Sequence, residues 1–176
     1  MKTEHADLLT AISFAARKHR NQRRKDAESS PYINHPLELA HVLASEGGVS
    51  DIKTLISALL HDTVEDTETT FEELVEEFGK KIANVVMEVT DDKTLVKAVR
   101  KRHQVEHAPH MSKRAALVKL ADKICNLRDI LSSPPAGWPV KRKRDYFDWA
   151  KEVVDGLPPA NKKLRKAFDA VFAQRP

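Results

Sequence analysis

The sequence DIKTLISALLHDTVED, residues 51–66, joins a strongly apolar run to a cluster of ionisable side chains. The run is apolar nearly all round a helical turn, which is typical of a helix buried in a protein interior. It leads into His61-Asp62 and, one turn later, Glu65-Asp66. Residues four apart share a helix face, so these side chains form one polar surface beside a buried element. Buried carboxylates need partners, and a divalent cation would satisfy several at once.

Helical periodicity extends through the rest of the chain and predicts an all-α fold of about eight to ten helices without significant sheet. The predicted helices cover about residues 4–19, 36–46, 52–60, 71–78, 82–89, 94–107, 117–131, 140–154 and 159–172. We expect a single domain over 1–176, with a metal-site core at about 20–131 and C-terminal helices at about 139–173.

The composition excludes several classes of protein. Hydrophobic residues make up 41% and charged residues 32% of 176 residues, which is typical of a globular domain and not of a disordered chain. No apolar run approaches the roughly 20 residues of a membrane helix, and the N-terminus lacks a signal-peptide core. The single cysteine, Cys125, favours a cytoplasmic location. We therefore expect no membrane partner.

Charge is segregated along the chain. Residues 62–92 contain eleven acidic and two basic side chains, whereas residues 93–151 contain fifteen basic and five acidic ones. This pattern suits a metal site that handles a polyanion, although solvated helix faces would produce it equally well.

Two further residues extend the candidate metal site. Asp122 interrupts an apolar helical stripe, and His35 precedes Pro36, which at a first helical position would make His35 an N-cap with extended backbone. With His61 and Asp62 they form a mixed nitrogen and oxygen set, which favours Mn²⁺, Fe²⁺ or Zn²⁺ over Mg²⁺ or Ca²⁺. Alternatively, Asp122 forms a buried salt bridge with a neighbouring lysine and His35 only caps its helix.

Longer segments resemble a known family. They are QRRKD (22–26), SPYINHPLELA (30–40), ALLHDTVEDTETT (58–70), EVTDDKTL (88–95), LVKLADKICNLRD (117–129) and GW (137–138). In this order and spacing they resemble the HD-domain alarmone hydrolases, which form the hydrolase module of RelA/SpoT-type enzymes. The similarity is greatest to the stand-alone metazoan SpoT homologues, and it implies an HD-type helical bundle.

The resemblance implies roles for individual residues. It implies one Mn²⁺ ion, with Fe²⁺ or Zn²⁺ possible, held by His35, His61, Asp62 and Asp122. It implies that Glu65 and Asp66 handle the attacking water. The implied substrate-binding residues are Arg24 on the nucleobase, Lys25 on phosphate, Tyr32 and Asn126 on the nucleoside, and Lys97, Arg142 and Tyr146 on the substrate side.

The implied activity is hydrolysis of the 3′-pyrophosphate of guanosine tetra- or pentaphosphate, (p)ppGpp, releasing pyrophosphate and GDP or GTP. Without a synthetase module, we expect hydrolysis only. One alternative is removal of the NADPH 2′-phosphate, and another is a different HD-type nucleotide phosphohydrolase. Two alternatives are less favoured. One is a basic nucleic-acid-binding module, supported by Lys141 to Arg144, and the other is a catalytically inactive nucleotide sensor. We expect a small nucleotide and no nucleic acid as partner, and the sequence does not define an oligomeric state.

Overall fold

Helices dominate the computed structural model, which describes residues 3–176, so that Met1 and Lys2 of the predicted domain lie outside the described residues. The α-helices of the described residues are α1 (Glu4–Lys18), α2 (Asn34–His41), α3 (Ile52–Leu60), α4 (Thr63–Asp66), α5 (Phe71–Phe78), α6 (Lys80–Val89), α7 (Lys97–His107), α8 (Lys113–Ser132), α9 (Val140–Gly156) and α10 (Lys162–Phe172). A π-helical segment, Val42–Glu46, continues α2, and a 3₁₀ turn, Ala108–His110, follows α7. Within residues 3–176 the only β-type pairing is an isolated bridge between Arg23 and Pro31. The all-α prediction is confirmed.

The apolar helix α3 lies at the centre of the fold, as its composition predicts. Asp51 caps it by accepting a hydrogen bond from the backbone N–H of Thr54 at 3.1 Å. The helix packs against α1, α2, α6 and α8, and Leu59 and Leu60 are at most 1% exposed. Burial of one such leucine contributes about 1.5–3 kcal/mol. The packing therefore holds the end of α3, and the His61-Asp62 pair that follows it, in the interior.

Two hydrophobic clusters flank the polar residues that follow α3. One surrounds α3 with side chains from α1, α5 and α6. The other is built on α8 with side chains from α2, α9 and α10. Ala40 of α2 packs against both clusters. Side chains from α2, from the end of α3 and from the middle of α8 can therefore meet at one point.

The second helix begins earlier than predicted. α2 starts at Asn34, so that His35 and Pro36 both lie in its first turn and His35 is helical. The prediction that His35 is an extended N-cap is wrong. The first backbone N–H groups of a helix have no intrahelical acceptor, so a proline there removes no helical hydrogen bond. A turn before the helix satisfies the N–H of His35, which donates to the carbonyl of Tyr32 at 3.0 Å.

The basic helix α7 begins at Lys97, three residues after the predicted start at Thr94. The backbone N–H and the hydroxyl of Thr94 both donate to Oδ1 of Asp92, at 2.9 and 2.6 Å. This local turn competes with helix formation, which delays the start of α7. None of the residues of α7 is buried, and the helix packs against α9 and against the 3₁₀ turn that follows it.

Among the residues described, no helix combines the length and the apolar character needed to cross a bilayer.

Candidate functional site

His61, directly after α3, is held in one tautomer. Its Nδ1 lies 2.8 Å from the carbonyl oxygen of Ala58, and it must carry the proton because a carbonyl can only accept. The other ring nitrogen, Nε2, is buried with no hydrogen-bond partner among the described residues. It lies 2.9 Å from Oδ2 of Asp62. Two lone-pair atoms so close together need a proton or a cation beside them, so His61 presents its lone pair to a cation-binding position.

His35 reaches the same position from α2. The rings of His35 and His61 lie edge to face with their centroids 5.3 Å apart. One possible ligand atom from each of His35, His61 and Asp62 lies within 4.8 Å of the other two. Asp122, in the middle of α8, stands outside this tight group and joins it through His35, whose Nε2 lies 3.3 Å from Oδ1 of Asp122. The structure thus brings the four predicted ligands together, with three of them closest.

The donor chemistry of this group fits a divalent cation. Imidazole nitrogens and carboxylate oxygens together suit Mn²⁺, Fe²⁺ or Zn²⁺. The imidazoles are at most 5% exposed, and the side chains of Asp62 and Asp122 are 18% and 13% exposed. Two carboxylates in so little contact with water need a compensating positive charge. The unpartnered Nε2 of His61 is directed to where that charge would lie.

The electrostatics of the group favour a positive charge at its centre. Burial by itself would lower the pKa of His61, but the carboxylate of Asp62 raises it to about 9 overall. Burial would raise the pKa of Asp62, yet the neighbouring histidines hold it well below its usual range. Burial would likewise raise the pKa of Asp122, but nearby positive charges, chiefly the ammonium of Lys123, hold it well below its usual range. The carboxylates stay ionised, and the imidazole attracts positive charge.

Glu65 lies on α4 at the edge of this group. Burial and the nearby Asp62 carboxylate raise the pKa of Glu65 to about 7. One carboxylate oxygen accepts a hydrogen bond from the backbone N–H of Asp91 at 3.1 Å, and the other lies 3.9 Å from Nη1 of Arg100. A carboxylate with a pKa near neutrality is suited to take a proton from water.

Asp66, its neighbour on α4, is more strongly paired. It accepts hydrogen bonds from Nε2 of Gln22, at 2.8 Å, and from the ammonium of Lys93. Nδ1 of the buried His19 lies 2.6 Å from Oε1 of Gln22 and orients that amide. Asp66 therefore has less freedom than Glu65 to act as a base. No sequence pattern indicated these contacts of His19 and Gln22, although Gln22 begins the QRRKD segment.

The four predicted ligands, His35, His61, Asp62 and Asp122, are called the metal-ligand group below. A cleft of about 870 Å³ opens beside this group. Its walls include His35, Glu65 and Asp66. Five of the predicted substrate-binding residues also contribute to its walls, namely Arg24, Lys25, Tyr32, Asn126 and Tyr146. The volume is in the range of small-molecule and cofactor sites.

Two of these residues contact the metal-ligand group directly. The hydroxyl of Tyr32 donates a hydrogen bond to the carboxylate of Asp62. Nδ2 of Asn126 donates to Oδ1 of Asp122 at 2.6 Å. Each therefore orients a predicted ligand besides lining the cleft.

Arg24 also forms part of the cleft wall. Its guanidinium carbon lies 5.6 Å from the centre of the Tyr32 ring, and an Nη atom pairs with the carboxylate of Asp129. The planar cation is thereby held at a fixed orientation in the cleft, where a flat base can stack on it.

The remaining predicted residues, Lys97 and Arg142, both lie close to the ring of Trp138, a residue of the cleft wall. Nζ of Lys97 is 6.0 Å and the guanidinium carbon of Arg142 is 4.2 Å from the centre of the Trp138 ring. Burial, together with Arg142 and Lys25, lowers the pKa of Lys97. Such crowding of cations is typical of a surface that binds an anion.

The alternative prediction, that Asp122 forms a buried salt bridge with a neighbouring lysine, holds for Lys123 but not for Lys119. Nζ of Lys123 lies 3.2 Å from Oδ2 of Asp122, whereas Lys119 donates to the carbonyl of Val89 at 3.0 Å. Asp122 therefore contacts both Lys123 and His35, and the salt bridge does not remove it from the metal-ligand group.

The profile described as HD domain matches residues 11–146 of the chain. A Xenopus tropicalis protein named guanosine-3′,5′-bis(diphosphate) 3′-pyrophosphohydrolase MESH1 is 56% identical over 172 residues, which cover 98% of this chain and 96% of that protein. The Homo sapiens protein of the same name is 55% identical over 175 residues, covering 99% and 98%.

A solved structure is similar over the same length. It is described as a metazoan ortholog of SpoT that hydrolyzes ppGpp and plays a role in starvation responses. It superposes with a TM-score of 0.93 at 46% identity, covering 97% of this chain and 96% of that chain. The fold, the sequence and the grouped His35, His61 and Asp62 agree, and the chain belongs to the HD domain family, alongside the MESH1 proteins that it resembles over nearly their whole length.

Proposed function

We propose that this protein hydrolyses the 3′-pyrophosphate of guanosine tetra- and pentaphosphate, releasing pyrophosphate and GDP or GTP. The observation that carries the proposal is that the metal-ligand group adjoins a large cleft whose lining includes several cations, among them Arg24, Lys25 and Arg100. The relatives are named for this reaction, and the structural neighbour is described as hydrolysing ppGpp. A small nucleotide fits the volume of the cleft better than a nucleic-acid duplex does.

We infer that His35, His61, Asp62 and Asp122 hold a single divalent ion, which is Mn²⁺ by preference, with Fe²⁺ or Zn²⁺ possible. Such an ion would neutralise charge on the 3′-phosphates and favour ionisation of water. Tyr32 and Asn126 support this site by donating hydrogen bonds to the two carboxylates. Because carboxylate and imidazole ligands must be deprotonated, metal affinity falls with decreasing pH.

Glu65 is the proposed general base. It takes a proton from the attacking water as the water oxygen bonds to the phosphorus attached to ribose O3′. The P–O3′ bond breaks, O3′ leaves with the bonding electrons and is protonated, and pyrophosphate is released. Asp66, held by Gln22 and Lys93, orients the water. Removing such a base lowers the rate by about 100-fold to 10,000-fold.

The other cleft residues hold the substrate. Arg24 stacks on guanine, and Lys25 binds phosphate, while Tyr32 and Asn126 also border the nucleoside. Lys97, Arg142 and Tyr146 hold the phosphate groups farther from the reacting centre. The support for this assignment is that five of these residues line the cleft and the other two lie close to Trp138 in its wall. A cytoplasmic location stays a prediction.

A product assay tests the proposal. The protein is loaded with Mn²⁺ and incubated with ppGpp, pppGpp and NADPH separately, and the products are resolved by anion exchange. We expect pyrophosphate with GDP or GTP, and a kcat/KM for the alarmones above that for NADPH. Orthophosphate from NADPH at a higher kcat/KM would instead assign a 2′-phosphatase, and normal turnover by protein verified as metal-free would refute the metal mechanism.

A further inference from the structure

The helix α7 carries Lys97 and Arg100 to the cleft although none of its own residues is buried. An element without a buried face needs other contacts to hold it in place. It packs against α9, where Nε1 of Trp149 donates to the carbonyl oxygen of Lys101 at 3.0 Å. Two of its side chains reach towards the centre of the molecule: Nη1 of Arg100 lies 3.9 Å from Oε1 of Glu65, and the amide of Gln104 forms two hydrogen bonds.

The amide of Gln104 bridges two charged groups of opposite sign. Oε1 of Gln104 accepts a hydrogen bond from Nζ of Lys123 at 2.9 Å. Nε2 of Gln104 donates to Oδ2 of Asp91 at 2.7 Å. An ammonium only donates and a carboxylate only accepts, so an amide satisfies both neighbours at once and a charged side chain cannot.

Each neighbour of Gln104 also contacts the proposed active site. The side chain of Lys123 is 2% exposed, and its Nζ lies 3.2 Å from Oδ2 of Asp122 and 4.2 Å from the centre of the Trp149 ring. On the other side, the backbone N–H of Asp91 donates to Oε2 of Glu65 at 3.1 Å. A continuous series of contacts therefore runs from Asp122 through Lys123, Gln104 and Asp91 to Glu65, behind the cleft.

We propose that Gln104 is a positioning residue that fixes Glu65 relative to the metal-ligand group by anchoring Asp91 to Lys123. The inference rests on the proposed role of Glu65 as the base. Gln104 does not line the cleft, so its effect reaches the reaction through Asp91. A shift of the Asp91 backbone moves the N–H that holds the Glu65 carboxylate. Misplacement of a group that orients a catalytic residue typically costs about tenfold to 100-fold in activity.

The test exploits the two ends of the amide. Gln104→Glu keeps an acceptor for Lys123 but replaces the donor to Asp91 with a carboxylate that repels it. We expect kcat for ppGpp to fall by about tenfold to 100-fold while bound Mn²⁺ is unchanged. Adding Asp91→Asn supplies an amide N–H that donates to the new glutamate, so the double variant recovers most of the lost kcat. The Asp91→Asn single variant completes the double-mutant cycle, in which kcat is compared among the wild type, the two single variants and the double variant.

The control is Glu106→Gln, an exposed residue of the same helix, which leaves kcat as in the wild type. If Gln104→Glu does not fold, Gln104→Met, uncharged and of similar length, is expected to show the same loss of kcat. The inference is overturned if a folded Gln104 variant turns over like the wild type, or if Asp91→Asn gives Gln104→Glu no recovery. Failure of the proposed function is distinguishable, since the wild type itself would then not hydrolyse ppGpp. Failure of the proposed role of Glu65 is distinguishable too, since Glu65→Gln would then hydrolyse ppGpp normally whatever the Gln104 variants do.

Discussion

Replacing Glu65 with glutamine removes a negative charge whose burial destabilises the folded state. Burial and Asp62 raise the pKa of Glu65 to about 7, from its usual value of 4.5. Each pKa unit corresponds to about 1.4 kcal/mol, so ionised Glu65 destabilises the folded, metal-free protein by up to about 3 kcal/mol above pH 7. The side chain is 18% exposed, and solvent screening makes this an upper limit.

The sign of the effect depends on pH. Because the pKa of this carboxyl is higher in the folded state, its destabilisation is absent below about pH 4.5 and develops as pH rises to about 7. Glutamine keeps an acceptor for the N–H of Asp91. Metal-free Glu65→Gln should therefore unfold at a Tm on the order of 5–10 °C above that of the wild type at pH 8, and the difference should vanish towards pH 4.5.

The same variant should lose catalysis. With Mn²⁺ at pH 8 we expect kcat for ppGpp to fall by about 100-fold to 10,000-fold with metal content unchanged, because the base is gone. Calorimetry in EDTA measures the Tm, and anion exchange measures turnover. Glu76→Gln, an exposed residue of α5, is the matched control. A Glu65→Gln protein that turned over normally, or that melted below the wild type at pH 8, would refute the reasoning.

Three further outcomes are expected. Arg24→Lys should raise KM for ppGpp by roughly 3-fold to 30-fold, since lysine loses the planar contact with Tyr32; an unchanged KM would exclude stacking. Lys97→Gln should raise KM and weaken its dependence on ionic strength, with little change in kcat, and an unaltered salt dependence would remove Lys97 from phosphate binding. Leu59→Ala should lower the free energy of unfolding by about 2–5 kcal/mol in urea titrations, because this side chain is 1% exposed in the α3 core, and a loss below 1 kcal/mol would contradict that packing.

The helices could be predicted from the sequence where the apolar period is strong. The buried run of α3 and the long apolar stripe of α8 are both helical, as predicted. Helix starts governed by local hydrogen bonds were less predictable. α10 begins at Lys162 and not at Pro159, because the side chain of Asn161 accepts hydrogen bonds from the backbone N–H groups of Lys163 and Leu164. The division into a core at about 20–131 and C-terminal helices stays a prediction.

The convergence of these polar residues was predictable because an acid or an imidazole beside an apolar helix is costly unless it has a partner; their role as metal ligands stays a proposal. That reasoning identified His61, Asp62 and Asp122 from local context. Gln22, in the loop after α1, and Gln104, on α7, gave no such signal, since a neutral glutamine carries no comparable cost. Their importance arises only from contacts with Asp66, Asp91 and Lys123, which lie far away in the sequence.

The most direct test is the metal content of the purified protein after loading with Mn²⁺ and desalting. A single ion held jointly by side chains from α2, the end of α3 and α8 predicts about one Mn²⁺ per wild-type chain by elemental analysis. It also predicts that Asp62→Ala and Asp122→Ala lose metal and ppGpp hydrolysis together, while Asp145→Ala, on the exposed face of α9, keeps both. Wild-type protein that retained no ion, or an Asp122→Ala protein that retained a full complement, would contradict the proposed site.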